Sequence, residues 1–247
     1  MDRIKSENDT LDTFYFGKIS VLQKKKGYRF SLDAPLLADF IQTSPLDEMV
    51  ELGTGHGIVS LLLSIKAFKF IVALEIQASL AQLAGRNIIL NHLQERIFIV
   101  QQDLLTFFPK KRFDVVFSNP PYIAKNKGQL SMSEEKSIAK HELKCDIFDI
   151  MQKTSEILKK SGRAYFIFPE KRKDDFMRAA ESQGLKIKVF RSVISSPGEQ
   201  PLLFLTECNS TASKTEKQAP LILYDRIGNY TDETLEIFTG RIHGPSF

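Results

Sequence analysis

No tryptophan occurs among the 247 residues, and only two cysteines and four histidines are present. Cys145 and Cys208 lack the short spacing of zinc ligands, and we expect both to be free thiols. No two histidines stand at a separation typical of a metal pair. The sequence therefore predicts neither a structural disulfide nor a metal site. Stacking on aromatic rings remains available, because 19 phenylalanines and 6 tyrosines are present.

Long apolar runs are also missing, so no segment reaches the length needed to cross a membrane, and the polar segment 1–8 does not look like a signal peptide. We therefore expect a cytoplasmic, monomeric protein that does not associate with membranes. Hydrophobic residues make up 43% of the chain and charged residues 26%, which is typical of a globular domain. The net charge of +4 permits a polyanionic partner without establishing one.

Alternating strand and helix patterns predict an α/β fold with a doubly wound, mostly parallel sheet. Five apolar strands are predicted at 48–52, 70–75, 96–100, 113–118 and 163–168. Helices are predicted between and after them at 57–66, 78–91, 145–159 and 172–183. Two further apolar runs, 185–193 and 201–207, are joined by a connection too short for a crossover helix. We expect those two runs to pair antiparallel.

The two ends of the chain differ from this core. In the N-terminal unit, residues 1–46, a hairpin is predicted at 18–33 and a helix after it. The core unit spans residues 47–208. Residues 209–247 form a polar linker followed by an arm and a short helix at about 232–239.

An Asn-Pro-Pro-Tyr turn at residues 119–122 follows the apolar run 113–117. The two prolines end the strand and stiffen the turn, which holds the Asn119 amide, the Pro120 carbonyl and the Tyr122 ring at the carboxyl edge of the sheet. An exocyclic amine can donate to the Asn119 and Pro120 oxygens while Tyr122 stacks on its flat ring. The turn favours methylation of a planar amide or amino nitrogen, and taken alone it is also compatible with a simple strand end.

A glycine-rich turn between a strand and a helix carries Gly53, Gly55 and Gly57. Glycines allow positive φ angles and a close approach of the backbone to a ligand. Their spacing is not the G-x-G-x-x-G of dinucleotide-binding folds, and Glu51 just before them would repel a pyrophosphate. A carboxylate there can instead pair with a cation, and S-adenosylmethionine carries an ammonium and a sulfonium group.

Acidic residues also follow the next two predicted strands. Glu75 ends the second strand, where a carboxylate can bind ribose hydroxyls. Asp103 follows the third strand and can accept a hydrogen bond from the amine of an adenine. Either acid alone would be read as a solvated strand end. Their order with the glycine turn and the Asn-Pro-Pro-Tyr turn favours a methyltransferase that uses S-adenosylmethionine.

Taken together, these motifs resemble those of the Rossmann-like class I methyltransferases that act on amino or amide nitrogens. Two further segments, 27–40 and 220–231, are similar to the bacterial tRNA1(Val) adenine-37 N6-methyltransferase family. That resemblance implies a seven-stranded sheet ending in an antiparallel hairpin, S-adenosylmethionine as cofactor, and transfer to N6 of A37 in the anticodon loop of a tRNA. Asn119, Pro120 and Tyr122 would then form the catalytic turn, with Asn119 also bordering the cofactor.

Basic residues near these motifs are candidates for contacts with RNA phosphates. Lys125 and Lys127 follow Tyr122 directly. The run Lys24, Lys25 and Lys26 precedes Phe30. We expect the N-terminal hairpin and helix to pack over the cofactor site, with Phe30 covering the cofactor. Similar basic runs elsewhere are usually solvated surfaces.

Three alternatives stay open. A protein N5-glutamine methyltransferase would use the same turn for a glutamine amide. The enzymes that it would resemble have a long helical N-terminal domain, whereas only 52 residues precede Gly53 here. An adenine DNA methyltransferase would need a target-recognition domain. A non-catalytic RNA-binding module on the same fold would not need Asn119, Tyr122, Glu75 and Asp103.

Overall fold

A computed structural model describes residue 6 and residues 9–25, 32–120 and 145–240. Eleven strands lie in these stretches: β1 Asp9–Phe14, β2 Ile19–Lys24, β3 Glu48–Leu52, β4 Phe70–Glu75, β5 Ile97–Gln101, β6 Phe113–Ser118, β7 Leu158–Pro169, β8 Lys186–Ile194, β9 Pro201–Asn209, β10 Glu216–Lys217 and β11 Leu221–Ile222. The described α-helices are α1 Asp33–Phe40, α2 Ile58–Leu63, α3 Ala78–Leu90, α4 Ile147–Ile157, α5 Lys173–Ser182 and α6 Asp232–Thr239.

The main sheet has the order β10-β8-β9-β7-β6-β3-β4-β5, and β11 also pairs with β8. Strands β3 to β7 are mutually parallel, whereas β9 runs antiparallel to both β7 and β8. The predicted seven-stranded sheet that ends in an antiparallel hairpin is therefore confirmed. Two strands of two residues each, β10 and β11, extend it to nine.

Helices cover the sheet on both faces, as expected for strands that are apolar on both sides. Met49 and Val50 are neighbours on β3, yet they enter two different clusters of the core. The first cluster is completed by α1, α2 and the end of α3, and the second by α4 and α5. In the second cluster Phe176 packs edge to face on Phe204 at a ring-centroid distance of 5.1 Å. These clusters fix the strand ends in relation to one another.

The N-terminal unit contains a strand that the sequence analysis did not predict. Strand β2, predicted at 19–22, pairs with β1, which precedes it, in the register Asp9↔Lys24 to Phe14↔Ile19. Residues 28–30, the predicted partner of this strand, lie outside the described residues. The turn between β1 and β2 uses positive φ angles at Tyr15, Phe16 and Gly17. Aspartates interrupt the apolar pattern of β1. Asp9 is buried because Arg86 of α3 pairs with it at 2.6 Å, a tertiary contact that the sequence pattern does not reveal.

The C-terminal arm packs on the main sheet. Leu221 and Leu223 are buried, and the Tyr224 and Tyr230 rings stack at 4.9 Å between centroids. Thr231 begins α6, with its side-chain oxygen accepting from the backbone N–H of Thr234 at 3.3 Å. The predicted short strand and helix at this end are therefore present as β11 and α6.

Both cysteines are free thiols, as expected: Cys208 is buried and Cys145 is half-buried. Within the stretches that the structure describes, no helix has the length and apolar character required to traverse a lipid bilayer.

Candidate active site

Four parallel strands end together at the carboxyl edge of the sheet. Leu52 of β3 lies opposite Leu74 of β4, and Glu75 lies opposite Gln101 of β5. On the other side of β3, Ser118 at the end of β6 donates its hydroxyl hydrogen to the Leu52 carbonyl at 2.7 Å. The residues that follow these ends share one edge. Topology thus brings together the glycine turn, Glu75, Asp103 and Asn119, as the sequence predicted.

The glycine turn leaves β3 and bends over the end of β4. The backbone N–H groups of Gly53 and Thr54 both donate to the Leu74 carbonyl, at 3.1 and 2.8 Å. Gly53 has a φ of 75°, and a β-carbon placed on it would meet no atom within 4 Å. Gly57 has a φ of 88°, but a β-carbon there would lie 3.4 Å from that of Ala84. Gly53 therefore faces open space and Gly57 packs against α3.

Glu51 lies beneath this turn with only 2% of its surface exposed. Its Oε2 atom accepts hydrogen bonds from the hydroxyl of Thr54 at 2.6 Å and from the hydroxyl of Ser60. Burial raises the pKa of the Glu51 carboxyl to about 7, against the opposing effect of the two hydroxyl donors. A nearby cation would stabilise the ionised form of this buried carboxyl and lower its pKa.

Glu75 is buried at the end of β4 and holds the turn from the other side. Its Oε2 atom accepts from the backbone N–H of Gly55 at 2.8 Å, and Oε1 accepts from that of Gln77 at 2.9 Å. Each oxygen of a carboxylate can accept more than one hydrogen bond. The geometry is compatible with the predicted contacts to ribose hydroxyls, which remain a prediction.

Asp103 lies after β5 and is half-buried. Its Oδ1 atom accepts from the backbone N–H of Leu105 at 2.9 Å and so begins a short 3₁₀ turn, Leu104–Thr106. Next to it, the Gln102 N–H donates to the Glu75 carbonyl at 3.0 Å. The two acidic strand ends are therefore tied together, and the adenine contact assigned to Asp103 stays a prediction.

The proline turn begins directly at the end of β6. Ser118 and Pro120 are buried, and Asn119 is half-buried between them. The Ser118 hydroxyl bond to β3 fixes the residue just before Asn119. Tyr122, Lys125 and Lys127 lie outside the described residues, and so their predicted roles cannot be placed on this edge.

The N-terminal hairpin reaches the same edge. Strand β2 runs alongside α3, and the ammonium group of Lys24 lies 3.5 Å from the hydroxyl of Ser79, near the start of that helix. Because α3 begins three residues after Glu75, Lys24 and the exposed Lys25 lie near the carboxyl edge. Lys26 and Phe30 lie outside the described residues.

Several residues at the site were missed by sequence reasoning. Thr54 and Ser60 donate their hydroxyl hydrogens to Glu51. Ile76 directly follows Glu75 and has 37% of its surface exposed. Asn87 reaches the glycine turn from the buried side of α3. A hydroxyl three residues after an acid that ends a strand was a usable signal for Thr54. The positions of Ser60 and Asn87 depend on packing between elements.

The chain is similar in sequence to a family of methyltransferases and to individual named relatives. The model described as the methyltransferase small domain matches residues 29–173, more than half of the chain. A protein of Flavobacteriaceae bacterium (strain 3519-10), named tRNA1(Val) (adenine(37)-N6)-methyltransferase, is 29% identical over 80% of this chain and 84% of its own length. A protein of the same name from Bacteroides thetaiotaomicron is 28% identical over 91% of this chain and 96% of its own length.

Solved structures share the fold at lower identity. A protein from Agrobacterium tumefaciens, described as a predicted O-methyltransferase, superposes with a TM-score of 0.68 at 19% identity. The match covers 85% of this chain and 96% of that protein. The likeness concerns the fold and does not identify the methyl acceptor.

Proposed function

The chain belongs to the methyltransferase small domain family, and we propose that it transfers a methyl group from S-adenosylmethionine to N6 of an adenine in RNA, with A37 in the anticodon loop of a tRNA as the target. The observation that supports this proposal most strongly is the order of groups along one sheet edge: Asp103, Glu75, the glycine turn and Asn119-Pro120 follow one another on β5, β4, β3 and β6.

The described residues fit S-adenosylmethionine. Gly53 leaves space at the end of β3 that a side chain would fill, which suits a ligand lying against the backbone. Glu51 lies beneath this space and is suited to stabilise a cationic group. Glu75 and Asp103 offer carboxylate oxygens for hydroxyl and amine donors on the neighbouring strand ends. When bound, the cofactor supplies an electrophilic methyl group on its sulfonium.

Asn119 and Pro120 would orient the acceptor. The nitrogen lone pair of an adenine amine is delocalised into its ring. When the Asn119 side-chain oxygen and the Pro120 carbonyl each accept one of its N–H hydrogens, the amine is held in position and its lone pair is directed towards the methyl donor. Such alignment supplies on the order of several kcal/mol of rate enhancement. No strong base is needed first, because the methylated nitrogen becomes acidic and loses its proton afterwards.

The choice of RNA is supported by the curated relatives, which carry the tRNA name over most of this chain. An adenine inside a duplex cannot enter a pocket at a strand edge, whereas a loop adenine can be unstacked at low cost. The net charge of +4 agrees with a polyanionic substrate. Lys24 and Lys25 would contact phosphates near the cofactor edge.

The proposal is tested by offering two acceptors in parallel. Unmodified tRNA transcripts and an unmodified release factor are each incubated with the protein and tritiated S-adenosylmethionine, and labelled RNA is digested to nucleosides. We expect the label in the RNA fraction, as N6-methyladenosine. Label on the release factor alone would instead identify a glutamine methyltransferase. Cofactor binding without transfer to either acceptor would contradict the proposal and favour a binding module.

Glu75→Gln is expected to raise the Kd for S-adenosylmethionine by roughly 30-fold, since a charged buried acceptor is worth about 2 kcal/mol or more. One oxygen that now accepts from the N–H of Gly55 or Gln77 becomes an amide nitrogen, so the turn also loses a contact. Isothermal titration calorimetry measures the change. Glu207→Gln is the matched control, because Glu207 is similarly buried but contacts Tyr165 and Lys188. If the two variants bound S-adenosylmethionine with equal affinity, Glu75 would not be a cofactor-binding residue.

A further inference from the structure

Asn87 lies inside helix α3 with 0% of its surface exposed, and its carboxamide joins two parts of the chain. Its Oδ1 atom accepts from the backbone N–H of Leu22 at 2.7 Å, and its Nδ2 atom donates to the Leu22 carbonyl at 3.1 Å. The same Nδ2 atom also donates to the carbonyl of His56 at 2.9 Å. One side chain therefore binds both strand β2 and the glycine turn.

A second asparagine, at the C-terminal end of α3, provides an internal comparison. Asn91 directly follows the last residue of α3 and lies four residues after Asn87. Its Oδ1 atom accepts from the backbone N–H of Ser20 at 2.8 Å, and its Nδ2 atom donates to the Ser20 carbonyl at 2.7 Å. The two side chains therefore hydrogen-bond to the backbone of alternate residues of β2, Ser20 and Leu22. A neighbouring strand would bond to one edge of β2 in the same way. The two asparagines differ in the second hydrogen bond that each Nδ2 atom donates. Asn87 donates to the carbonyl of His56, whereas Asn91 donates to the backbone carbonyl of Asn87 at 2.8 Å.

The glycine turn needs such support. His56 lies between Gly55 and Gly57, and glycine allows the flanking peptide planes many orientations. The N–H of Gly55 is fixed by Glu75 at 2.8 Å, on the side of the turn that borders the strand ends. The His56 carbonyl is fixed by Asn87 of α3. These two bonds hold consecutive residues of the turn from two different elements.

We propose that Asn87 is a positioning residue of the cofactor site, which couples the N-terminal hairpin to the glycine turn. Its side chain is buried, so it acts through the backbone of residues 55–57 and does not itself reach the ligand. Ordering of the turn by S-adenosylmethionine is transmitted through Asn87 to β2, and loss of the carboxamide loosens both. This inference rests on the cofactor assigned above.

The first test compares Asn87→Ala with Asn91→Ala. Both variants lose a carboxamide that anchors β2, but only the first loses the bond to the turn. We expect the Kd and KM for S-adenosylmethionine to rise about tenfold in Asn87→Ala, with kcat at saturating cofactor within about twofold of the wild type. For Asn91→Ala we expect Kd and KM within about twofold of the wild type. Equal effects of the two variants would overturn the proposal.

A second test needs no variant and covers the case in which Asn87→Ala fails to fold. Hydrogen exchange of the wild-type protein is measured with and without S-adenosylmethionine, following the amides of Leu22 and Ser20. These amides donate to Asn87 and Asn91 respectively. We expect the cofactor to slow exchange at Leu22 at least threefold more than at Ser20. Equal protection at the two amides would overturn the coupling.

The cofactor assignment and the positioning role of Asn87 are contradicted by different results. Wild-type protein that binds no S-adenosylmethionine in calorimetry would overturn the cofactor assignment and this inference with it. Wild-type protein that binds the cofactor, together with an Asn87→Ala variant that binds it equally well, would overturn the positioning role alone.

Discussion

Replacing Asn119 with alanine is expected to lower the rate of methyl transfer about 100-fold or more while the Kd for S-adenosylmethionine stays within about twofold. The change removes the oxygen that accepts one N–H of the acceptor amine, so the amine is no longer aligned. Asn119 follows β6 and is half-buried, and the fold around it is fixed by the Ser118 bond to Leu52. Single-turnover assays with unmodified tRNA measure the rate, and calorimetry measures cofactor affinity.

Asn209→Ala is the matched control for this experiment. Asn209 ends β9, which runs antiparallel to β7, so it lies at the opposite edge of the sheet. Its side-chain oxygen accepts from the backbone N–H groups of Thr211 and Ala212 at 3.1 and 2.7 Å, a local capping role. We expect it to lower stability slightly and to leave the transfer rate unchanged. Near-normal turnover of Asn119→Ala would show that Asn119 does not align the acceptor amine and would contradict a catalytic role for the proline turn.

Glu51→Gln is expected to make the free protein more stable at pH 8 while weakening cofactor binding. The Glu51 carboxyl has its pKa raised from 4.5 to about 7 by burial. Between these values the folded chain holds a proton that the unfolded chain has released, so the free energy of unfolding falls as the pH rises. Above pH 7 the buried charge costs about 3 kcal/mol. Glutamine removes this cost, and we expect a gain of about 1–3 kcal/mol at pH 8.

The same substitution removes the negative charge assigned to the cofactor's cation. Loss of one partner of a buried pair costs about 2 kcal/mol or more, and so the Kd should rise by roughly 30-fold or more. In the wild type, affinity should increase as the pH passes upward through 7, because Glu51 ionises there. In Glu51→Gln this dependence should be lost.

Thermal unfolding and calorimetry at pH 5, 6, 7 and 8 measure both effects. At pH 5 the two proteins should differ little in stability, since Glu51 is then protonated. Glu48→Gln is the control on the same strand: Glu48 pairs with Lys69 at 2.6 Å, and that pairing lowers its pKa. We expect no stabilisation from it at pH 8. A Glu51→Gln variant with unchanged stability and cofactor affinity at pH 8 would contradict the assignment.

The sheet and much of the candidate site were predictable because each motif is tied to the end of an apolar strand. Glu75 directly ends β4 and Asn119 directly follows β6, so their strand patterns placed them on one edge. Strand β1 was not predicted because it carries Asp9 and Asp12 in place of apolar residues. Asp9 is buried with Arg86 of α3 paired to it, and the sequence pattern does not show that contact.

The supporting residues could not be predicted for a related reason. Ser60 and Asn87 lie within helices, where a serine or an asparagine carries no signal of its partner. Their roles arise when α2 places Ser60 over Glu51 and α3 places Asn87 between β2 and the glycine turn. Packing of the helices on the sheet determines these contacts.

Methylation of A37 is tested by mass spectrometry of unmodified tRNA transcripts treated with the protein and S-adenosylmethionine. Nuclease fragments locate the added methyl group, and nucleoside analysis identifies the methylated atom. We expect one methyl group per tRNA, recovered as N6-methyladenosine in the anticodon-loop fragment that contains A37. With Asn119→Ala we expect this product to form at least about 100-fold more slowly. A methyl group on another base or another ring atom, or unmodified tRNA in the presence of cofactor-bound protein, would contradict the account.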